Sequence, residues 1–392
     1  MRLSLASVLA LALALAGLSC DRSPASASGP SAGGGVARSG GSSPAGWATY
    51  HGGFSLDGVA DTVLPDAPER LWRVKVEGRV DSTPVSADHR IYFTSSKGGL
   101  FCLDFAGKEL WKSSIAPDQF TSSPLVADGL LILGTGKGVL RAFDTAGGKE
   151  KWTYDVGGSI QGSPNRVDLP GGKGGVVAIS QGDGCLHGID LATGKGLWKM
   201  PAVERCDGSA GASGDYVVMG SCASALHVYS ASKGVKVTDI SLGPDNQVAG
   251  GVAMSGTHAF AGTRSGKLCA VDVADGKILW TFAEGQGEAF ATPAVTDRVV
   301  VYGADDGKAY AVDRAKGTKV WALDTGNRPM SPVIARDRVV ISSGGSLFLA
   351  DLAGGKKLWS APVSDDITSP AVVGGMILVG ADDGTVTAYG KK

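Results

Sequence analysis

Short apolar runs separated by glycine-rich turns make up most of the chain. Runs such as LLILG (130–134), VVVYG (299–303) and MILVG (376–380) are each followed by a turn that contains glycine and by an alternating segment. Short runs of β-branched and aliphatic residues bounded by Gly and Asp-Gly are typical of strands joined by tight hairpins. The pattern therefore predicts an antiparallel, all-β protein.

Tryptophan recurs at nearly regular intervals and defines a repeat. Successive tryptophans from residue 72 onward are 39, 41, 46, 82, 41 and 38 residues apart, and 82 equals two repeats with one tryptophan missing near Val237-Thr238. Four strands in about 41 residues is the size of one propeller blade. The seven repeat tryptophans are Trp72, Trp111, Trp152, Trp198, Trp280, Trp321 and Trp359.

Each repeat begins with a segment of small residues, which we call the opening segment. Seven of these are regular, and the fifth, AGGVAM (249–254), is looser. Three predicted strands follow every opening segment, and the last repeat ends without a fourth strand. The regular opening segments are STPV (82–85), SSPL (122–125), GSPN (162–165), GSAG (208–211), ATPA (291–294), MSPV (330–333) and TSPA (368–371).

An extra strand at 71–74 precedes the first opening segment and supplies the fourth strand that the last repeat lacks. The count predicts an eight-bladed β-propeller of four-stranded blades, whose last blade is closed by the N-terminal strand. Closure removes the open sheet edges that would otherwise promote aggregation.

The repeated Trp and Asp residues are predicted to be structural. A tryptophan at one position per blade supplies a large apolar plate between neighbouring sheets, and its indole N–H requires a backbone acceptor. The aspartate that precedes each Gly-Lys turn is expected to accept hydrogen bonds from that turn. The tryptophan-docking set therefore belongs to the scaffold rather than to a catalytic site.

The first nineteen residues are predicted to be a signal peptide of the lipoprotein type. Arg2 precedes an apolar run from Leu3 to Leu18, and small residues lead to Cys20. This segment resembles a bacterial lipobox, so we expect lipidation of Cys20; the alternative is ordinary cleavage, after which the protein is secreted. Residues 20–46, rich in Ser, Gly, Ala and Pro, are expected to form a flexible tether before the propeller at 47–392.

Charge and composition exclude some classes of partner. The chain has 37 Lys and Arg residues against 38 Asp and Glu residues, without a block of like charge, so nothing in its charge indicates nucleic acid binding. A membrane is expected to be contacted through the lipid anchor only. Sixty glycines are consistent with many tight turns, because the apolar fraction is that of a folded domain.

The cysteines suggest one disulfide. Cys206 and Cys222 lie on either side of the Gly214-Asp215 turn, so a hairpin would place them on paired strands within bonding distance. We expect them to form a disulfide; the alternative is two buried thiols. The other cysteines of the propeller are expected to be buried singly.

No catalytic, cofactor-binding or metal-ligating residues are predicted. The histidines are scattered, and the acidic pairs at 305–306 and 382–383 precede glycine as hairpin turns require, without the spacing of a calcium loop.

Three segments match or closely approach the string A-x-D-x-x-x-G-K-x-x-W. They are AVDVADGKILW (270–280), GIDLATGKGLW (188–198) and AFDTAGGKEKW (142–152). This string resembles the tryptophan-docking repeat of quinoprotein dehydrogenases, which also builds the BamB-type outer-membrane assembly lipoproteins. The resemblance covers nearly all of residues 70–390 and implies a PQQ-type β-propeller, a fold that occurs in enzymes and non-enzymes alike.

The BamB-like resemblance implies a non-catalytic envelope scaffold without cofactor. Its expected partners are other envelope proteins, including the outer-membrane barrel-assembly machinery, and it is expected to be a monomeric, periplasm-facing lipoprotein. The outer membrane is favoured, although Asp21 after Cys20 keeps the inner membrane open.

Two alternatives to the scaffold remain. One is a PQQ-dependent oxidoreductase, against which the short repeats and the lack of a Cys-Cys pair argue. The other is a propeller that binds a small ligand or glycan. The irregular fourth and fifth blades are either specialised or decayed repeats.

The lead-in arm, residues 47–69, has no counterpart in the repeat. It resembles the W-x-x-x-x-G-G segment common before PQQ-type propellers. We expect Trp47, Tyr50 and Phe54 to pack against the ring as a plug or latch; the alternative is an arm that engages a partner.

Overall fold

The computed structural model describes residues 46–115, 120, 122–169 and 173–392. Within these ranges the chain forms strands, turns and loops, and no helix there is long and apolar enough to cross a membrane. The predicted signal peptide, Cys20 and the tether up to residue 45 lie outside the described residues.

The strands form eight sheets, each with a four-stranded antiparallel blade and one with an added fifth strand, which confirms the predicted eight-bladed propeller. Seven sheets contain four strands that are consecutive in the chain. Blade one comprises β3 (Val85–Ala87), β4 (Arg90–Thr94), β5 (Gly99–Asp104) and β6 (Glu109–Ser114). Blade two comprises β7 (Leu125–Ala127), β8 (Leu130–Gly134), β9 (Val139–Asp144) and β10 (Glu150–Asp155).

The next four blades follow the same order of strands. Blade three comprises β11 (Asn165–Leu169), β12 (Lys173–Ser180), β13 (Cys185–Asp190) and β14 (Gly196–Lys199). Blade four comprises β15 (Gly211–Ser213), β16 (Tyr216–Gly220), β17 (Ala225–Ser230) and β18 (Val235–Ser241). Blade five comprises β19 (Ala253–Ser255), β20 (His258–Gly262), β21 (Leu268–Asp272) and β22 (Lys277–Phe282). Blade six comprises β23 (Ala294–Val295), β24 (Val299–Ala304), β25 (Lys308–Asp313) and β26 (Lys319–Asp324).

The last two blades incorporate strands from the N-terminal part of the chain. Blade seven comprises β27 (Val333–Ala335), β28 (Arg338–Ser343), β29 (Ser346–Asp351) and β30 (Lys357–Pro362), and β1 (Val59–Ala60) pairs in parallel with β27. Blade eight comprises β31 (Ala371–Val373), β32 (Met376–Gly380) and β33 (Thr385–Gly390), with β2 (Glu69–Lys75) as its outermost strand. The predicted closure by the N-terminal strand is therefore confirmed.

The repeat tryptophans join neighbouring blades. The indole of Trp280, on the last strand of blade five, lies against Gly317 in the β25–β26 turn of blade six, and its Nε1 donates to the Arg314 carbonyl at 2.8 Å. A side chain on that glycine would collide with the ring, because an added Cβ would lie 2.7 Å from the indole. The same arrangement recurs around the ring and explains the period of the sequence.

The aspartates that end the third strands brace the following turns. Asp144 Oδ1 accepts from the backbone N–H of Gly147 at 2.7 Å, and Asp351 Oδ1 accepts from Gly354 at 2.7 Å. The hydrogen bond from Gly147 lowers the pKa of Asp144, since it stabilises the charged form of this carboxylate. The aspartates are therefore structural, as predicted.

Candidate functional site

The opening segments meet around the axis of the ring and are joined by hydroxyl groups. In most blades a Ser or Thr hydroxyl accepts a hydrogen bond from the backbone N–H of the equivalent residue in the preceding blade, as Ser209 does from Ser163 at 2.9 Å. A larger side chain would not fit this spacing, which explains the small residues of the opening segments. The other such pairs are Ser123 with Ser163, Gly251 with Thr292, Thr292 with Ser331 and Ser331 with Ser369.

The lead-in arm lies inside this ring and bonds to the innermost strands one after another. Trp47 exchanges two backbone hydrogen bonds with Ser86 in β3, and the Ala48 carbonyl accepts from Val126 in β7. Further along the arm, the Phe54 carbonyl accepts from the Asn165 side chain in β11 and the backbone of β15. The carbonyls of residues 55, 57 and 58 then accept from Met254 in β19, Val295 in β23 and Ile334 in β27.

Aromatic residues of the arm fill the axis. Trp47 is 1% exposed and Phe54 is partly buried, as expected for a plug. The hydroxyl of Tyr50 lies 2.5 Å from that of Ser331, which connects the arm to blade seven. The structure thus shows the arm packed against the ring, in agreement with the preferred interpretation of the sequence.

His51 fixes the turn of the arm. Its side chain is fully buried, and its two ring nitrogens lie 2.8 Å from the carbonyls of Leu56 and Pro332. Burial lowers the pKa of His51, against the effect of these two carbonyls. His51 therefore holds the arm to itself and to blade seven.

One end of the ring bears a small polar cavity over the arm. Its volume is about 200 Å³, and its lining includes Tyr50 and residues just before four opening segments, namely Asp81, Gln161, Asp207 and Phe290. These four occupy equivalent positions in the repeat but differ in chemistry. At this end of the ring, which is formed by the loops between blades, equivalent positions therefore carry chemically different side chains.

Asp207 is the most heavily bonded of the four. Its carboxylate accepts from Gln181 Nε2 at 2.6 Å and from Arg205 Nε at 2.9 Å, and Arg264 Nη2 lies 3.6 Å away. These groups come from blades three to five. The carboxylate therefore links three blades at the surface.

Two arginines contact the ring of Phe290, and one of them, Arg264, also lies 3.6 Å from Asp207. The guanidinium carbons of Arg264 and Arg328 are 5.0 and 5.3 Å from the centre of its ring, within cation–π distance. Arg264 Nη1 also donates to Glu288 at 3.0 Å. We call these residues, with Asp207, the Phe290 cluster.

The Phe290 cluster is partly exposed, and ion pairs within the protein already hold its arginine side chains in place. The side chains of Arg264, Glu288 and Arg328 are 31%, 38% and 53% exposed. Aromatic and arginine side chains are enriched among the residues that dominate protein–protein binding. The cluster is therefore suited to contact another protein, and nothing in the repeat pattern of the sequence had singled it out.

Blade four contains a serine–histidine–aspartate chain that the sequence analysis also missed. Ser221 Oγ lies 2.8 Å from His227 Nε2, and His227 Nδ1 lies 2.6 Å from Asp239 Oδ1. These are the residue types of a nucleophilic triad, but Ser221 is fully buried and its Oγ accepts from the backbone of Ala223. The chain serves to join the strands of blade four.

The predicted disulfide is absent, so this prediction was wrong. Cys206 and Cys222 are free thiols, and Cys206 Sγ lies 3.3 Å from the Glu204 carbonyl. The first strand of blade four begins only at Gly211, so Cys206 lies in the loop before the hairpin, although the carbonyl of the adjacent Arg205 accepts from the Cys222 backbone N–H at 2.9 Å. Cys102, Cys185 and Cys269 are buried free thiols, as expected.

The acidic pairs have structural surroundings. Asp382 Oδ1 accepts from Ser364 Oγ at 2.6 Å, and Asp306 Oδ1 accepts from the backbone of Lys308 at 3.1 Å. Across the described ranges, no group of three or more His, Cys, Asp or Glu side chains is placed to hold a metal ion.

Comparison with known sequences matches this chain to one family model and to several proteins that share its description. The family model described as outer membrane protein assembly factor BamB matches residues 57–209 and 214–392. The protein of that name from Burkholderia pseudomallei is 28% identical over 304 residues, which cover 73% of this chain and 77% of that protein. The one from Nitrosomonas eutropha is 26% identical, and the match covers 72% of this chain but only 60% of that protein.

Solved structures share the fold. BamB from Moraxella catarrhalis superimposes with a TM-score of 0.71 at 18% identity, covering 83% of this chain and 98% of that one. A quinohemoprotein alcohol dehydrogenase from Comamonas testosteroni gives 0.72 at 14% identity, covering 89% and 81%. At these identities the likeness concerns the fold, which is common to both kinds of protein.

Proposed function

Because this chain belongs to the family of outer membrane protein assembly factor BamB, we propose that it is a non-catalytic envelope scaffold that docks proteins of outer membrane assembly. The observation that carries the proposal is the Phe290 cluster. It places an aromatic ring, two arginines and two carboxylates at the end of the ring where the loops of neighbouring blades meet.

The cluster is preorganised, which favours binding. Arg264 is held between Asp207 and Glu288, and Arg328 lies 3.6 Å from Asp305. Side chains that are already ordered lose less conformational entropy when a partner arrives. A partner with an acidic and apolar contact surface would satisfy both guanidinium groups and cover Phe290.

The plugged axis supports a scaffold over a quinone enzyme. The resemblance to quinoprotein dehydrogenases implies, for an enzyme of that kind, PQQ and a calcium ion over the axis with carboxylate and amide ligands. Here the axial cavity of about 200 Å³ is smaller than the roughly 300 Å³ at which pockets for small molecules begin. Its two carboxylates are already bonded to arginines, Asp81 to Arg79 at 2.9 Å and Asp207 to Arg205 at 2.9 Å. The residues around the axis therefore do not fit PQQ with calcium.

The same cavity argues against a propeller that binds a small ligand or glycan. The lead-in arm occupies the channel, and the cavity lining is mainly hydroxyl groups and glycine backbone.

We also infer a lipid anchor and a location for this chain. The apolar run before Cys20 and the tether at 20–46 support a lipid-anchored monomer that faces the periplasm, with the outer membrane favoured by the names of its relatives. A flexible tether of this composition would allow the propeller to reach partners in the membrane.

In-cell crosslinking tests this function. Tagged full chain, recovered from envelope fractions, should bring down outer membrane assembly proteins. Phe290→Ala should lower their recovery by about tenfold, as expected for a residue that dominates an interface. Phe348→Ala is the matched control, because Phe348 is also partly buried beneath a cation, Lys357 at 6.0 Å, but lies on β29 of blade seven.

The outcomes separate the parts of the proposal. If Phe290→Ala recovers fewer outer membrane assembly proteins while Phe348→Ala recovers the normal amount, the result supports docking through the Phe290 cluster. Cys20→Ala should lower recovery from cells without weakening the binding of purified protein. Failure of the unaltered chain to recover any envelope protein would overturn the scaffold function.

A further inference from the structure

Three blades carry an arginine at the same point of the loop that leads to the opening segment. In blades one and four the carbonyl of this arginine accepts from the turn between the second and third strands, at 2.9 Å in both. In blades one and seven the next residue lies against a glycine of the preceding blade's second strand, and an added Cβ there would come within 2.4 and 2.7 Å of it. The three residues are Arg79, Arg205 and Arg328.

In blades one and four the arginine is paired within its own loop. An aspartate stands two residues after the arginine, immediately before the opening segment. Arg79 Nε donates to Asp81 at 2.9 Å, and Arg205 Nε donates to Asp207 at 2.9 Å. The two arginine side chains are 58% and 59% exposed, so these pairs form at the surface, on the rim of the axial cavity.

Blade seven lacks this aspartate, because its loop is one residue shorter. Pro329 follows Arg328 and leads directly into the opening segment at Met330. Among the described residues, the Arg328 side chain donates no hydrogen bond, and its nearest carboxylate oxygen, on Asp305, lies 3.6 Å from Nε. The Arg328 side chain is 53% exposed, so its N–H groups are accessible from outside the protein.

The other arginine of the Phe290 cluster is less available. Arg264 Nη1 donates to Glu288 at 3.0 Å, and its Nη2 lies 3.6 Å from Asp207. Its side chain is also less exposed, at 31%. Arg328 is therefore the arginine of the cluster whose donor groups a partner can reach.

Arg328 is held in place although it lacks a hydrogen-bond acceptor. Its guanidinium carbon lies 5.3 Å from the centre of the Phe290 ring, within cation–π distance. Phe290 and Met330 both line the axial cavity, and both are partly exposed. A group bound to Arg328 would therefore have an apolar surface beside it.

We propose that Arg328 binds a carboxylate of a partner polypeptide, and that an apolar side chain next to this carboxylate lies on Phe290 and Met330. The partner supplies the carboxylate that the loops of blades one and four supply for their own arginines. A planar guanidinium group suits this role, because two of its N–H groups can donate to both carboxylate oxygens at once. The inference rests on the proposed scaffold function and names the chemistry of the docked segment, an acidic residue beside an apolar one.

Two peptides, acetyl-Leu-Asp-Leu-amide and acetyl-Leu-Asn-Leu-amide, test this site on the purified full chain. The methyl resonance of Met330, observed by NMR after isotope labelling of methionine, reports binding, which is expected in the millimolar range for peptides of this size. We expect the Asp peptide to shift this resonance and the Asn peptide to bind about fivefold more weakly, the contribution of one exposed charge pair. Arg328→Gln should bind both peptides with equal affinity.

A matched pair of insertions tests why the site is open. Insertion of an aspartate between Pro329 and Met330 gives the loop the length and the carboxylate of blade one, and should abolish the preference for the Asp peptide. Insertion of an asparagine at the same point gives the same length without the charge, and should keep the preference.

Three results would overturn the proposal. They are equal affinity of the unaltered chain for the two peptides, a preference for the Asp peptide that persists in Arg328→Gln, and a preference that persists after insertion of the aspartate.

In-cell crosslinking separates this proposal from the scaffold function. If Arg328→Gln recovers as much outer membrane assembly protein as the unaltered chain, the scaffold function stands and the role of Arg328 is refuted. If the unaltered chain recovers no envelope protein while its preference for the Asp peptide depends on Arg328, the carboxylate site stands and the scaffold function is refuted.

Discussion

The hydroxyl of Tyr50 lies 2.5 Å from the hydroxyl of Ser331, a residue 281 positions further along the chain. Ser331 in turn accepts from the backbone N–H of Thr292 at 2.9 Å, so the contact joins the arm to the circle of hydroxyl groups around the axis. The arm is thus an integral part of the ring, although it has no counterpart in the repeat.

Removal of the Tyr50 hydroxyl should destabilise the propeller. Tyr50→Phe keeps the ring but leaves the Ser331 hydroxyl without this partner, so the free energy of unfolding should fall by about 1 kcal/mol. Urea denaturation followed by fluorescence would measure it. Tyr216→Phe is the control, since no hydrogen bond of the Tyr216 hydroxyl is found among the described residues, and an equal loss there would contradict the assignment.

A tryptophan that docks on the next blade should contribute far more to the free energy of unfolding than its exposed neighbour in the sequence. Trp280→Ala removes the ring that covers Gly317 and the hydrogen bond to Arg314, and should lower the free energy of unfolding by about 3 kcal/mol. Leu279→Ala, at a position 46% exposed, should change it by less than about 0.5 kcal/mol. Similar losses in both variants would show that the junction does not depend on the indole.

Acid should weaken the fold through His187. Burial, with a smaller effect of Lys199, lowers the pKa of His187 to about 4 from an ordinary value near 6.5. Below pH 6.5 the unfolded chain takes up a proton that the folded chain does not, so stability falls as the pH falls towards 4. The expected loss over this range is about 3 kcal/mol.

Urea titrations at several pH values would measure this effect. In His187→Gln the fall in stability between pH 7 and pH 4 should be smaller than in the unaltered protein. His89→Gln, in which the histidine is exposed, controls for the loss of a histidine without the loss of burial. An unchanged pH profile in His187→Gln would show that other groups, such as the buried His51 and His227, dominate the acid response.

The cysteines should behave as thiols. Alkylation of the unfolded protein without a reductant should label both Cys206 and Cys222, as shown by peptide mass spectrometry. In the folded protein Cys206 should react slowly at pH 8, because burial raises the pKa of this thiol to about 12 and the thiolate is the reactive form. A peptide pair lighter by two hydrogens would instead reveal the disulfide that the structure lacks.

The architecture could be predicted from the sequence because each blade repeats the same residues at the same spacing. Trp280 and Gly317 belong to one period of the chain, so their contact follows from the repeat. The closing strand could be predicted by counting, since the last repeat lacked a fourth strand.

The Phe290 cluster could not be predicted in the same way. Arg264, Phe290 and Arg328 lie in three successive blades at positions that are not equivalent in the repeat, and only the curvature of the ring brings them together. The error at Cys206 has a related cause. Equal distances from a turn predict paired strands only if both cysteines lie within the strands, whereas the first strand of blade four begins five residues after Cys206.

The path of the arm through the ring has an evolutionary consequence. Propellers are typically built from about four to eight blades of the same kind, so the repeat unit alone does not set their number. Here the backbone of the arm bonds to seven innermost strands in their order around the axis, and its strand β1 pairs with β27 of blade seven. In a ring with one more or one fewer blade, the hydrogen-bonding groups of the arm would no longer lie opposite their partners on the innermost strands. The length and bonding pattern of the N-terminal segment therefore favour retention of eight blades.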